Sequence, residues 1–395
     1  MEARIYAEDP LRGFLPSIGP LLQYHEPPSQ IPIGEGMTKI RVDSGVTEGS
    51  EISVHYDPMI SKLIAYSDNR DRVIDGLVQA LDRYVIEGVQ HNAQFLQALL
   101  HQEAFRKGST PTNFIPAHYP KGFSGIELNE EEKSRLAAVM VLLSHKRRSV
   151  LNQPPLPMEH VVDHGQITLL PEDVTPAAIS EPIPFEQYCT LREQPHVSTF
   201  VVSLGGLFGK HGIYEVAVDR NTGQFLVCNI KGASSITNGN EQGIFHFKVK
   251  NFMYHPSSPI AELKFTDELT QAIQFHGEDN SGLMRIQVHG ALYEVVVMSP
   301  KEYELSQWMH EPPKIDISNL LQSPMPGTLI SVAVKEGQEV QLGQELCVVE
   351  AMKMQNILRS SKHGKISKIK VQVGASLKVN ETILEFEADE QEETT

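Results

Sequence analysis

The sequence predicts a multidomain chain, part α+β and part all-β: a mixed α+β unit, then an antiparallel β-barrel around a central helix, then a flattened β-barrel. Three observations predict it. The segment Leu136-Ala137-Ala138-Val139-Met140-Val141-Leu142-Leu143 is apolar on every side, and a helix with no polar face must be surrounded. Short alternating strands dominate from Val197 onward. Near the C-terminus one pattern occurs twice, from Gly327 to Glu350 and from Gly364 to Glu387, offset by 37 residues.

The α+β unit comes first. Lys39-Ile40-Arg41-Val42-Asp43 alternates, with Ile40 and Val42 on one face and the charges on the other. Ile74, Leu77, Val78, Leu81 and Val85 then follow a helical period that starts beside acidic Asp71. A second helix spans 92–105 and stops before Gly108.

Asn129 followed by Glu130, Glu131 and Glu132 predicts an N-cap, with Glu132 placed to close a capping box. Lys146, Arg147 and Arg148 complement the helix dipole at the other end. Proline-rich 153–157 and 182–184 bracket a stretch with little periodicity, read as a loop. Beyond it, Ile213 to Val218 and Gln224 to Ile230 flank a hairpin signature at 219–223. Residues 285–288 and 293–298 flank His289-Gly290-Ala291. His246 and His289 read as outward-facing strand positions rather than ligands. Gly205-Gly206-Leu207-Phe208-Gly209-Lys210 lacks the spacing and the Ser/Thr of a phosphate loop and reads as a turn. Residues 301–318, with Glu311-Pro312-Pro313, read as a semi-rigid connector.

In the repeat, Gly327 matches Gly364, Gly337 matches Gly374, Gly343 matches Asn380 and Glu350 matches Glu387. Glycine or asparagine at matched places marks turns that need positive φ. Between the copies stands Glu350-Ala351-Met352-Lys353-Met354-Gln355-Asn356. Two such halves pack sheet on sheet and put Lys353 at a hairpin tip, where a free amine on a flexible stem is a good nucleophile for an activated acyl group.

Composition excludes several classes. A net charge of −16 argues against a nucleic-acid partner, because phosphates would meet no bulk neutralisation. Cys189, Cys228 and Cys347 are too few and too scattered for a disulfide framework, which fits a reducing compartment. The histidines form no HxxxH or HExxH cluster, so no metal site is read. The longest apolar run, Leu136 to Leu143, is too short to span a bilayer, and no signal or transit segment precedes Glu2-Ala3-Arg4.

The lysine motif, the repeat and Ser323-Pro324-Met325-Pro326-Gly327 resemble the biotinyl domain of biotin-dependent carboxylases. A lipoyl domain shares the architecture but usually has an acidic residue before the lysine, where this chain has Met352. The opening Glu2-Ala3-Arg4-Ile5-Tyr6-Ala7-Glu8-Asp9-Pro10 and the run His55-Tyr56-Asp57-Pro58-Met59-Ile60-Ser61-Lys62-Leu63 are similar to the C-terminal subdomain of a biotin carboxylase. The middle resembles the subunit-docking (BT) domain of acyl-CoA carboxylase α subunits. The expected domains are 1–118, the carboxylase subdomain; 128–300, the BT domain, with its central helix at 129–150; a linker, 301–318; the biotinyl domain, 319–388; and an acidic tail, 389–395.

The resemblance implies biotin covalently bound to Lys353, flanked by Met352 and Met354, and attached by a biotin protein ligase. It implies that Arg41 faces the ureido ring and stabilises charge developing there. The other reading of Arg41 is a surface residue paired with Asp43 or Glu48. Phe114 aligns with an apolar residue near an adenine pocket. A carboxyltransferase β subunit is the implied partner through the BT domain, and the mitochondrial matrix the implied location, without membrane insertion. The implied reaction is ATP- and bicarbonate-dependent carboxylation of propionyl-CoA to methylmalonyl-CoA, with Gln355-Asn356 favouring that substrate over methylcrotonoyl-CoA. ATP and Mg²⁺ would bind at sites this chain does not contain, so the expectation is a chain that can be biotinylated but is inactive alone. The alternatives are a non-catalytic biotin carrier and docking chain, or the α subunit of another acyl-CoA carboxylase such as methylcrotonoyl-CoA carboxylase.

Overall fold

The computed structural model describes residues 1–34, 36–53, 57–150, 185–219, 221, 223–230, 244–266, 270–310, 319–351 and 354–387. The loop read at 153–184, the tail 389–395 and the proline pair at 312–313 lie outside the described residues. Two compact units form. One combines Met1–Leu77, Tyr84–Ser124 and Glu311–Thr395; the other combines Val78–Arg83 with Gly125–His310.

In the first unit, strands β1 (Glu2–Tyr6), β2 (Gln30–Ile33), β3 (Gly36–Ser44) and β4 (Met59–Tyr66) make an antiparallel sheet in the order β1-β4-β3-β2. Ile40 is buried and Arg41 exposed, as the alternation predicts. Helix α1 (Arg70–Asp82) approaches β3 closely at Gly76, where an added Cβ would stand 2.4 Å from Thr38 Cγ2. The apolar period that runs on to Val85 does not mean a longer helix. Val85–Glu87 leaves α1 and pairs with Gln23–His25 as a strand. The helix expected over 92–105 is likewise broken in two, α2 (Ala93–His101) and a short turn at Glu103–Arg106, because Gln102 is extended at ψ 125°.

In the second unit, α3 (Glu130–Val150) runs through a closed eight-stranded barrel. Its strands are β5 (Val197–Leu204), β6 (Gly212–Asp219), β7 (Gln224–Asn229), β8 (Phe245–Tyr254), β9 (Ile260–Phe265), β10 (Thr270–Glu278), β11 (Leu283–Val288) and β12 (Ala291–Met298). Asn129 N–H donates to Glu132 Oε2 at 2.8 Å and Glu132 N–H donates to Asn129 Oδ1 at 2.9 Å, so the capping box forms. All eight residues from Leu136 to Leu143 are 0% exposed, packed against Phe200, Phe225, Leu263 and Val295 of the wall. Each large side chain so buried contributes about 1.5–3 kcal/mol. Glu130 closes the mouth: its Oε2 accepts from the Tyr214 hydroxyl and the Asn229 amide, both at 3.0 Å. His289 is not a strand residue but the first residue of the β11–β12 turn, at φ 47°. Residues 301–306, read as part of the connector, lie in helix α4 (Pro300–Ser306), closed by a Ser299–Glu302 capping box.

The repeat gives two four-stranded sheets. β13 (Leu320–Gln322), β15 (Glu339–Val340), β18 (Gly364–Ile369) and β20 (Thr382–Phe386) order as β13-β20-β18-β15; β14 (Gly327–Val332), β16 (Glu345–Ala351), β17 (Met354–Arg359) and β19 (Ser376–Leu377) order as β17-β16-β14-β19. The predicted turns hold: φ is 79° at Gly337 and 89° at Gly374, and 79° at Gly343 against 62° at Asn380. Register breaks also repeat at matched positions, between Leu329 and Ser331 and between Ile366 and Lys368. Gly327 is a glycine for another reason, since a Cβ there would lie 2.5 Å from the Glu350 carbonyl oxygen. Among the described residues no helix is long and apolar enough to cross a membrane.

Candidate functional site

The lysine motif sits on the β16–β17 ladder. Cys347 pairs with Leu358, Val349 with Asn356, Glu350 with Gln355 and Ala351 with Met354. Met352 and Lys353, the two residues between Ala351 and Met354, lie outside the described residues, as does the Met354 side chain.

The flanks of that ladder are held firmly. Ala351 is 3% exposed and anchors the end of β16 in the core with Met325, Leu329 and Ile383. The Gln355 amide donates to Glu350 Oε2 at 3.1 Å. Beside it runs the Ser323–Gly327 loop. Ser323 is fully buried, and its hydroxyl donates to the Met325 carbonyl at 2.6 Å. Ser323 N–H donates to Glu381 O at 2.8 Å, and Asn380 N–H donates to Ser323 O at 2.9 Å, tying the loop to the second half. The Asn356 amide donates to the Met325 sulfur at 3.5 Å. Loop and ladder therefore support each other directly below the motif. The sequence singled out both segments but not the Met325–Asn356 contact, which joins residues 31 apart.

Arg41 lies on the open face of the N-terminal sheet, in one row with Glu2 and Ile64. Its side chain is 70% exposed and its Nε stands 3.0 Å from Asp43 Oδ1. In the next row Arg4 pairs with Glu2, Nε to Oε1 at 2.8 Å, and this hydrogen bond holds the Glu2 carboxyl below its ordinary pKa. The face thus carries alternating cations and anions held in place within one strand. Of the two pairings weighed for Arg41, the one with Asp43 is present. No hydrogen bond among the described residues links Arg41 to the β16–β17 ladder. Phe114 is buried, 6% exposed, with Phe105 at 6.2 Å and His118 at 4.2 Å between ring centroids, a packing position in an aromatic cluster.

Three family models of known proteins match parts of this chain. The family model for the biotin carboxylase C-terminal domain matches residues 2–117, that for the propionyl-coenzyme A carboxylase BT domain matches 187–311, and that for biotin-requiring enzymes matches 319–386. The chain belongs to the biotin-dependent carboxylases. Among curated members of this carboxylase family, the mitochondrial propionyl-CoA carboxylase alpha chain of Mus musculus is 32% identical over 321 residues, which is 81% of this chain and 37% of that protein. The Homo sapiens protein of the same name is 46% identical over 140 residues, 35% of this chain and 18% of its own length. The mitochondrial methylcrotonoyl-CoA carboxylase subunit alpha of Rattus norvegicus is 41% identical over 118 residues, 30% of this chain and 16% of that one. The chain therefore spans little more than a third of the longest-matched of these carboxylases.

Proposed function

We propose that this chain is the biotin-carrying part of a propionyl-CoA carboxylase α subunit, with biotin in amide linkage to Lys353. The observation that carries the reading is the Ala351–Met354 pairing. It leaves Met352 and Lys353 alone to join two strands, at the end of a ladder braced by the Ser323–Gly327 loop. A lysine between two paired strands carries a primary amine that a separate ligase can acylate.

When bound, biotin supplies a ureido nitrogen that can accept a carboxyl group. What the chain's own residues contribute is orientation and charge. Lys353 Nζ gives up its charge in the amide and becomes the attachment point. Arg41, its Nε 3.0 Å from Asp43 Oδ1, would supply a permanent cation to the bound group. Tethering the group near its acceptor replaces a bimolecular search with a local one. The barrel serves as the docking domain for a carboxyltransferase β subunit. Matches to propionyl-CoA carboxylase chains over up to 81% of this sequence favour that substrate, and their mitochondrial names favour the matrix.

The test is intact-mass analysis of the chain co-expressed with a biotin protein ligase. The expected result is one added biotinyl group, mapped to the peptide containing Lys353 and absent from Lys353→Arg. Biotin on another lysine, or none, overturns the assignment. Pull-down of a propionyl-CoA carboxylase β subunit by the same chain tests the docking role.

A further inference from the structure

The last turn of α1 ends against the barrel. A helix C-terminus leaves carbonyls unpaired and carries partial negative charge. Gln274 of β10, 3% exposed, answers the first need: its amide donates to Asp82 O at 3.0 Å and Leu81 O at 3.4 Å. The second is made worse by Asp82 itself, a carboxylate with only 5% of its side chain exposed, set at the negative end of the helix. The adjacent Arg83 turns its Nε to Glu262 Oε1 at 2.7 Å. Asp82 Oδ2 meets His289 Nδ1 at 3.2 Å.

His289 is placed for this contact by a two-residue turn, with φ 47° at His289 and 77° at Gly290 and with Val288 paired to Ala291. Among the described residues, the charged groups acting on it are the acids Asp82 on α1 and Glu132 in the first turn of α3.

We propose that Asp82 and His289 form a proton-dependent latch that holds residues 78–83 against the barrel. Burial disfavours a charge on His289, but the hydrogen bond and charge of Asp82 outweigh burial and raise its pKa above the ordinary value. The sign follows. The contribution is complete below the pKa of a free histidine, about 6.5, and is lost as pH rises through the higher folded value.

Hydrogen–deuterium exchange of the 78–83 peptide, in the full chain and corrected for intrinsic exchange, reads the latch directly. As pH rises above about 6.5, protection of this peptide falls, by at most about tenfold per pH unit, the limit for one proton. His289→Asn keeps a residue that tolerates the left-handed turn and leaves protection low and flat with pH. Asp82→Asn does the same if it folds; if it does not, His289→Asn alone decides. Flat protection in the wild-type chain, or an undiminished slope in His289→Asn, overturns the proposal.

Discussion

The hydroxyls of Tyr24 and Tyr84 meet at 2.5 Å, and the direction of that hydrogen bond is set by its neighbours. Ser44 donates to the Val46 carbonyl at 2.8 Å, so it accepts from Tyr24, also at 2.8 Å. Tyr24 has then spent its proton and must accept from Tyr84, which accepts from Ser61 at 2.6 Å. The chain Ser61→Tyr84→Tyr24→Ser44 ends on the strand that carries Arg41 and Asp43. Burial raises the pKa of both tyrosines, so the hydroxyls stay protonated and the chain stays intact.

Tyr84→Phe removes the middle of this chain and leaves Ser61, 2% exposed, without its acceptor. The expected loss is about 1–3 kcal/mol, from stranding a buried hydroxyl. Urea unfolding measures it, and an unchanged midpoint would contradict the Ser61–Tyr84 hydrogen bond.

Leu142 lies at 0% exposure inside the barrel, whereas Leu305 on α4 is 57% exposed. Leu142→Ala should cost about 2–5 kcal/mol. Leu305→Ala should stay within about 0.5 kcal/mol. Similar losses from the two would refute the helix-in-barrel packing.

The matched turns of the repeat predict an exchange. Gly343→Ala forces a left-handed conformation at φ 79° on a residue with a Cβ, costing about 1–2 kcal/mol. Gly343→Asn, which copies Asn380, should cost less. Gly327→Ala meets the Glu350 carbonyl at 2.5 Å, so it should also weaken the β14–β16 pairing, seen as faster amide exchange across 347–350.

Burial pushes the thiols of Cys228 and Cys347 up to about 11. At pH 8 that leaves about one thiolate in a thousand. Iodoacetamide should therefore label Cys189, which is only half-buried, first in the native chain. All three should react alike in denaturant. Early labelling of Cys347 would mean that the biotinyl core is not packed as described.

Much of this was legible because it rests on local rules. The Asn129 cap, the all-round apolar helix and the turn glycines each follow from a few neighbouring residues, and each stands where the sequence places it. The misreadings have separate causes. Val85 keeps the helical period of α1, yet its place is set by His25, sixty positions earlier. His289 alternates with core residues, yet the chain reverses there. The Ser299–Glu302 capping box was visible in Ser299-Pro300-Lys301-Glu302, but the proline pair downstream suggested a connector throughout. At the candidate site, the carrier lysine could be named from its motif and repeat. The Met325–Asn356 support could not, because no periodicity links a loop to a strand three elements beyond it.

The barrel closes by pairing its first strand with its last, Val201 with Met298 through Leu204 with Val295. On the ribosome, the greasy helix that fills the ring is therefore made long before the wall that shelters it. Until Met298 emerges the ring cannot shut, and eight side chains that belong in the dark face water. Such a nascent chain invites aggregation and chaperone capture, and a stop codon anywhere in the wall would leave a sticky intermediate rather than a smaller working domain.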